Sequence, residues 1–281
     1  MNEECAGRFR VALPEGWRLS ARAHSIYGVA AWTAPTRETS ASTQWESRLA
    51  AIRLLPPPKG AASSLRSELA FPGSAKAVWY HANPTLPSTL MLEAHRPVGD
   101  HVLWLKRTGM EGKEAPAEKL VEKLLSVYAP GTEAGFCIGA GSIRMEGSLS
   151  ETAQLTMERI AGSGKLELVT QTVTAPDTET FMNLDEERNF ARTSGSTLEV
   201  SMERERTLAG MSGFEMRVAI SLPGEAPQLR YTWHFPGEPG QPGRPKMNLI
   251  GRAGVAAQGQ LDLAWEAVLA SLAAIPLNAR P

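Results

Sequence analysis

The sequence comprises 281 residues, 42% of them hydrophobic and 21% charged, an ordinary globular composition with enough length for two domains or one large one. Its 29 Lys and Arg residues against 30 Asp and Glu give a net charge of −1. That balance argues against a dedicated nucleic-acid-binding protein, which needs clustered positive charge, and no apolar run approaches the roughly 18 to 20 residues that direct membrane insertion requires.

Hydrophobic spacing in the first half of the chain predicts short strands around two helices. In chain order these are strands over 8–13 and 26–33, a helix over 43–54, strands over 76–82, 88–95 and 101–108, and a helix over 115–128. The first helix is predicted because Trp45, Leu49 and Ile52 recur at spacings of four and three. The prolines that begin at Pro56 then end it.

The second half returns to the same strand-rich pattern after Ala129-Pro130-Gly131-Thr132 breaks the preceding helix. The predicted elements are strands over 136–145, 151–159 and 165–174, a charged helix over 178–192, strands over 197–207, 213–222, 228–235 and 246–251, and a helix over 261–274. The last helix is amphipathic, with Leu261, Trp265 and Val268 on one apolar stripe.

Both halves therefore run from strands through a helix and further strands to a closing amphipathic helix. This order predicts an α+β fold with two similar lobes, each an antiparallel sheet with flanking helices. We expect the N-terminal lobe over 1–130 and the C-terminal lobe over 131–281. The residues of the two halves hardly match, so the repeat is one of architecture.

The residue patterns of common catalytic, metal and cofactor sites are missing from the sequence. The five histidines include no pair at helical spacing around a glutamate, which the zinc proteases require. Gly162-Ser163-Gly164-Lys165 lacks the earlier glycine and the following Ser or Thr of a phosphate-binding loop, and no Gly-x-Ser-x-Gly occurs. We therefore expect a protein that is not an enzyme and that binds no cofactor and no metal.

Two stretches suit binding better than catalysis. Residues 236–245 hold three Gly-x-Pro triplets, which predict an extended loop that is either a plain hairpin connection or a preformed surface for a partner. Glu203-Arg204-Glu205-Arg206 lies on a predicted strand, where alternation sends the two glutamates to one face and the two arginines to the other. That stretch is either a solvated edge protected by charge or the rim of an interface.

The cellular compartment stays open on these residues alone. The N-terminal stretch MNEECAGRF lacks the basic and apolar regions of a signal peptide, so the chain either stays in the cytoplasm or begins after a signal that was removed. In the cytoplasm Cys5 and Cys137 are expected to be small buried side chains, whereas an oxidising compartment lets them bridge. A bridge that closes so long a loop stabilises by about 4–5 kcal/mol in the chain-entropy model.

Ordered anchors along the chain resemble one protein family. The opening Cys5-Ala6-Gly7-Arg8-Phe9, with Val11, Leu13 and Pro14 after it, resembles the start of the two-domain immunity proteins that are paired with type VI secretion lipases. Gly135-Phe136-Cys137-Ile138-Gly139, with Gly141 and Ile143 after it, is similar to the start of the C-terminal domain in that family.

Two later anchors follow in the same order. Gly213-Phe214-Glu215-Met216-Arg217 resembles the Gly-x-Glu segment of the family, and Tyr231-Thr232-Trp233 with Pro245 resembles its aromatic strand and the proline after it. The four anchors span nearly the whole chain, and their spacing fits the two predicted lobes.

The resemblance implies a periplasmic α+β protein whose two lobes grip a cognate phospholipase effector, so that the lipase neither opens its lid nor reaches lipid. Periplasmic location favours a Cys5–Cys137 disulfide, because the two cysteines open the two lobes in an oxidising compartment. Lipidation of Cys5 is not expected, since Asn2-Glu3-Glu4 is unlike the small apolar residues that this processing uses.

The effector interface is expected around the Gly-x-Pro loop, on the neighbourhood of that loop alone. The interface residues that we expect are Arg230, Trp233, His234, Glu238 and Arg244. Two other functions fit the same residues. One is an envelope adaptor or chaperone that binds an effector without inhibiting it, and the other is an enzyme with an unrecognised site.

Overall fold

The computed structural model describes residues 3–145, 150–175, 188–189 and 192–276. The chain divides into two compact units. Unit 1 holds Met1–His24 and Gly147–Leu277, and unit 2 holds Ser25–Glu146. These units differ from the predicted lobes 1–130 and 131–281, because the first 24 residues group with the C-terminal half. The helix predicted over 178–192 lies outside the described residues, apart from 188–189 and 192, which are helical.

The described elements of the chain are mostly strands. The N-terminal ones are β1 (Glu3–Ala6), β2 (Phe9–Ala12), β3 (Trp17–Ile26), β4 (Val29–Pro35), α1 (Ala41–Arg53), β5 (Leu65–Phe71), β6 (Ala75–Tyr80), β7 (Thr89–Val98), β8 (His101–Met110), α2 (Ala115–Val127) and β9 (Tyr128–Pro130). The C-terminal ones are β10 (Phe136–Ile138), β11 (Gly141–Ile143), β12 (Glu151–Arg159), β13 (Lys165–Gln171), β14 (Thr197–Leu208), β15 (Met211–Ser221), β16 (Gln228–Phe235), β17 (Lys246–Gly254), a 3-10 turn (Val255–Ala257), α3 (Gln258–Ser271) and β18 (Ala273–Ala274).

In unit 2, strands β4-β8-β7-β6-β5 form an antiparallel sheet in that order. The apolar stripe of α1 packs on one face of this sheet, against Val78 and Trp104. On the other face, Trp79 Nε1 donates a hydrogen bond to Glu118 Oε1 of α2 at 2.8 Å, and β10 of the small sheet β10-β11-β9 contacts β4. Because both faces are covered, the first half of β8, His101–Leu105, is buried at every position.

Local sequence chemistry explains where α1 begins. Ser40 caps the helix, since its hydroxyl accepts a hydrogen bond from the Thr43 backbone N–H at 3.2 Å. A serine in this position satisfies one of the N–H groups that a helix leaves unpaired at its start. The cap places the buried stripe of α1, namely Trp45, Leu49 and Ile52, over the sheet.

In unit 1, the strand order is β14-β15-β16-β17-β13-β12-β3, and α3 contacts β17 and β2. A small sheet of order β1-β2-β18 lies beside α3. Several long-range hydrogen bonds hold the N-terminal segment. Among them, the Ile275 N–H donates to the Arg8 carbonyl at 2.8 Å, and Ser20 Oγ of β3 donates to the Thr156 carbonyl of β12 at 3.2 Å. These long-range pairings explain why the first 24 residues group with unit 1.

The predicted α+β class is confirmed, since the described chain is mostly antiparallel sheet with helices. The strand predicted over 26–33 is wrong at its start. Tyr27 and Gly28 both have positive φ, 52° and 71°, which is the geometry of a tight hairpin turn, so β3 ends where that strand was expected to begin. The strand predicted over 136–145 is likewise two short strands, β10 and β11, separated by a turn.

Candidate functional site

The Gly-x-Pro loop, residues 236–245, connects β16 to β17 and is held by contacts of Arg244, both within the loop and to residues outside it. Arg244 Nε donates to Glu238 Oε1 at 2.5 Å, and Arg244 Nη1 donates to the Gly210 carbonyl at 3.1 Å. The same guanidinium lies over the ring of Phe235, 5.4 Å from its centroid, in the geometry of a cation–π contact. The structure therefore brings Glu238 and Arg244 together, and each neutralises the charge of the other.

The other three residues expected at the interface lie on β16 and do not share one face. Trp233 is fully buried, and its Nε1 donates to the Arg206 carbonyl at 2.9 Å. Trp233 is thus a core residue and offers no surface to a partner. Alternation places Arg230 and His234 on the opposite face, where both are half-buried and His234 Nδ1 lies 2.6 Å from Asn248 Oδ1.

The Arg-Glu stretch of β14 supplies ligands to a buried carboxylate. Arg204 and Arg206 point to one face, as alternation predicts, and both bind Oε2 of Glu215 on β15. Glu215 has no exposed surface. Its Oε1 accepts hydrogen bonds from Arg217 Nη2 and from Trp265 Nε1, each at 2.8 Å. The two arginines thus hold Glu215. Glu203 and Glu205 are exposed, and β14 is the last strand of its sheet in the described part of the chain, as the interpretation of a solvated edge expects, while the interface rim stays a prediction.

Helix α3 completes this charged cluster. Arg217 binds Asp262 Oδ1 at 3.1 Å and also Glu266, while Arg206 Nη2 binds Glu266 Oε2 at 2.8 Å. Three arginines therefore meet three carboxylates, and the cluster carries no net charge. Burial opposes ionisation of Glu215, but the hydrogen bonds from the arginines and from Trp265 outweigh it and lower its pKa to about 2.

Close packing around Gly213 explains why glycine occupies the first position of the Gly-x-Glu anchor. A Cβ at Gly213 would lie 2.6 Å from Trp233 Cε2 and 2.5 Å from the His234 carbonyl oxygen. We expect Gly213→Ala to lower the free energy of unfolding by about 1–3 kcal/mol, because overpacking forces neighbouring atoms to shift. Urea denaturation followed by circular dichroism measures the loss. Gly243→Ala is the matched control, since a Cβ there meets nothing within 4 Å; equal losses in both variants would contradict the close approach.

A cleft of about 630 Å³ lies along α1 in unit 2, and sequence reasoning did not anticipate it. We call it the α1 groove. It is lined by Trp32, Pro35, Glu38, Thr39, Gln44, Ser47, Arg48, Ala51, Glu93, Trp104 and Lys106. The four helical residues recur at spacings of three and four, so they form one wall of a single helix face. The opposite side is formed by residues of β4, β7 and β8 that α1 leaves uncovered.

Two tryptophans form the floor of the α1 groove. Trp32 of β4 and Trp104 of β8 are paired in register, with parallel rings whose centroids are 6.0 Å apart. Trp104 is almost fully buried, whereas Trp32 is half-buried. Trp104 therefore supports one face of the Trp32 ring from within the core.

A buried ion pair fixes the wall of the α1 groove. Arg48 Nε and Nη2 donate to the two oxygens of Glu93 at 2.6 and 2.7 Å, and Tyr80 Oη donates to Glu93 Oε2 at 2.9 Å. Burial and the neighbouring Glu93 carboxylate raise the pKa of Tyr80, so the phenol stays protonated. Lys106 has no ion-pair partner among the described residues. The sequence alone places Arg48 on a helix and Glu93 on a distant strand, and nothing local pairs them.

Within the described ranges, no group of three or more His, Cys, Asp or Glu side chains is placed to hold a metal ion. No helix in the described part of the chain is long and apolar enough to cross a membrane. Neither Cys5 nor Cys137 is a free thiol.

The fold of this chain is also found in solved structures of other proteins. The chain is similar to immunity protein TplEi of the type VI secretion system (T6SS) of Pseudomonas aeruginosa, with a TM-score of 0.76 and 15% identity over 98% of this chain and 97% of that one. A chain of the Tle4-Tli4 complex gives the same values. TplEi complexed with the "L" peptide gives a TM-score of 0.72 and 14% identity over 98% of each chain.

No protein-family model and no curated protein sequence matches the chain. The whole-chain structural likeness confirms, at the level of the fold, the resemblance that the four sequence anchors indicate.

Proposed function

We propose that this chain is an immunity protein, one that binds and inhibits a cognate type VI secretion phospholipase effector. The observation that carries the proposal is the fold likeness to TplEi and to a chain of the Tle4-Tli4 complex over nearly the whole length. One of these relatives is described in a complex and TplEi is described with a bound peptide, so the fold is one that binds protein partners. The sequence anchors of the lipase-paired family support the same function.

Inhibition is proposed to work by occlusion of the lid or of the active-site entrance of the effector. The two units are proposed to act as two similar lobes that grip the enzyme, which requires no reactive group. A stable complex needs about 800 Å² of surface from each partner. The Gly-x-Pro loop supports this mechanism, because the contacts of Arg244 hold the loop in advance and a preformed loop loses little entropy on binding.

The periplasm is the proposed compartment. Thiols oxidise there, and we place a Cys5–Cys137 disulfide in the mature protein. The finding that neither cysteine is a free thiol supports this pairing.

Co-expression tests the proposed function directly. Each type VI lipase of the source bacterium is directed to the periplasm of a host cell, with and without this chain directed to the same compartment. We expect the chain to restore growth against its cognate lipase and to co-purify with an inactive form of it. The control keeps the chain in the cytoplasm, where no protection is expected. Co-purification without protection would favour the adaptor, and protection without a complex would favour an enzyme.

A further inference from the structure

We infer that the α1 groove of unit 2 anchors an extended segment of the effector, one that lays an apolar side chain on Trp32 and brings a carboxylate to Lys106 and Arg48. This inference rests on the proposed function and names the surface and the chemistry that it uses. The groove lies entirely within unit 2, whereas the Gly-x-Pro loop, where the interface was expected from the sequence, belongs to unit 1.

The dimensions of the α1 groove fit a short extended peptide. Its helical wall runs from Gln44 to Ala51, and a rise of 1.5 Å per residue makes that wall about 10 Å long. An extended chain advances about 3.3 Å per residue, so the wall spans about three residues. The volume of about 630 Å³ lies within the range of clefts that enclose most of a bound ligand.

The floor of the α1 groove offers an apolar surface that loses little conformational entropy when a partner binds. Trp32 is half-buried, so part of its ring faces the groove, and the parallel ring of Trp104 holds it in place. A large, rigid aromatic surface loses little conformational freedom when a partner covers it. Tryptophan and arginine are also the residue types that contribute most to protein–protein affinity. An aromatic or large aliphatic side chain is the complementary group.

The charges of the α1 groove favour a carboxylate in the bound segment, next to the side chain that contacts Trp32. Both oxygens of Glu93 are occupied by Arg48 and Tyr80, and the Glu93 side chain is only 2% exposed. Arg48 therefore balances the charge of Glu93, and Lys106, which faces Glu93 in register on β8, adds a further positive charge. Arg48 keeps its Nη1 group outside these bonds, and Lys106 is unpaired among the described residues.

Glu38, at the mouth of the α1 groove, limits how many acidic residues a bound segment can carry. Glu38 lines the mouth and is exposed, so it repels a second carboxylate there. The groove is thus matched to one acidic residue next to one apolar residue. Because Glu93 already fixes Arg48, the guanidinium loses little freedom when the carboxylate arrives.

A peptide library tests the chemistry without knowledge of the effector. Phage that display random linear peptides are selected on the full chain. We expect enriched peptides to carry an aromatic or large aliphatic residue within three positions of Asp or Glu. They should bind Trp32→Ala and Lys106→Ala about tenfold or more weakly than the wild type. Lys113→Ala is the matched control, because Lys113 is exposed and lies outside the groove. Circular dichroism verifies that each variant is folded.

Two results overturn the inference. The first is that selection enriches no such peptide, or that the enriched peptides bind Trp32→Ala and Lys106→Ala as tightly as they bind the wild type. The other is a cognate lipase whose Kd is the same for the wild type and for both variants. Lys106→Ala keeps this test decisive if Trp32→Ala fails to fold. If wild-type chain protects no cell while the peptides still depend on the groove, the proposed function fails and the binding chemistry stands.

Discussion

We expect Glu215→Gln to lower the free energy of unfolding by about 3–5 kcal/mol, because removing one partner of a buried ion pair leaves the other charge uncompensated. Glu215 has no exposed surface and accepts hydrogen bonds from Arg204, Arg206, Arg217 and Trp265. Arg217, whose side chain is only 10% exposed, is left with Asp262 and Glu266, which are 37% and 46% exposed, so it loses its one fully buried partner. A neutral amide keeps the shape of the carboxylate and removes its charge.

Glu205→Gln is the control for this substitution. It makes the same chemical change on the opposite, exposed face of β14, where we expect the free energy of unfolding to change by no more than about 0.5 kcal/mol. Urea denaturation of both variants gives the comparison. A loss below about 1 kcal/mol in Glu215→Gln would mean that the cluster is not held by the charge of this carboxylate.

The same carboxylate gives the protein a defined dependence on pH. The pKa of Glu215 is about 2 in the folded chain, below its ordinary value of 4.5, so its contribution to stability is fully present above pH 4.5 and is lost as pH falls toward 2. A shift of this size corresponds to about 3 kcal/mol. Between pH 5 and pH 2, wild-type protein should therefore lose more stability than Glu215→Gln, measured by denaturation at each pH.

The elements that depend on local spacing were predictable from the sequence. Helix α2 was predicted over 115–128 and is observed as Ala115–Val127, and α3 was predicted over 261–274 and is observed as Gln258–Ser271. In both helices the signal is an apolar stripe that any packing partner would bury. Alternation in β14 also placed Arg204 and Arg206 correctly on one face. Applied to β16, it would have separated Trp233 from Arg230 and His234.

Contacts between distant segments were not predictable in this way. Glu215 accepts a hydrogen bond from Trp265, 50 residues further along the chain, and Arg48 binds Glu93 at a separation of 45 residues. A side chain that the local pattern assigns to solvent can thus meet a buried partner from another element. The grouping of residues 1–24 with unit 1 has the same origin, because β18 pairs with β2 from the far end of the chain. The local periodicity of the sequence predicts none of these three pairings.

Arg8 of the opening anchor is expected to be as important to stability as Glu215. Its side chain is 3% exposed, and Nε and Nη2 donate to the two oxygens of Glu151 at 2.6 and 2.7 Å. Glu151 is itself only 5% exposed. We expect Arg8→Met to lower the free energy of unfolding by about 3–5 kcal/mol, because the buried Glu151 carboxylate loses both charge-assisted hydrogen bonds from Arg8.

A double variant separates the cost of an unpaired charge from the cost of lost packing. Replacing a whole buried ion pair by apolar residues is often neutral or stabilising, so Arg8→Met combined with Glu151→Leu should unfold at a higher urea concentration than Arg8→Met alone. Arg18→Met is the control at an exposed pair, where Arg18 and Glu158 are 3.7 Å apart with 67% and 44% of their side chains exposed. That variant should lose no more than about 1 kcal/mol. If the double variant is as unstable as Arg8→Met, the packing of Arg8 in the β1–β2 hairpin, and not its charge, is what the opening anchor preserves.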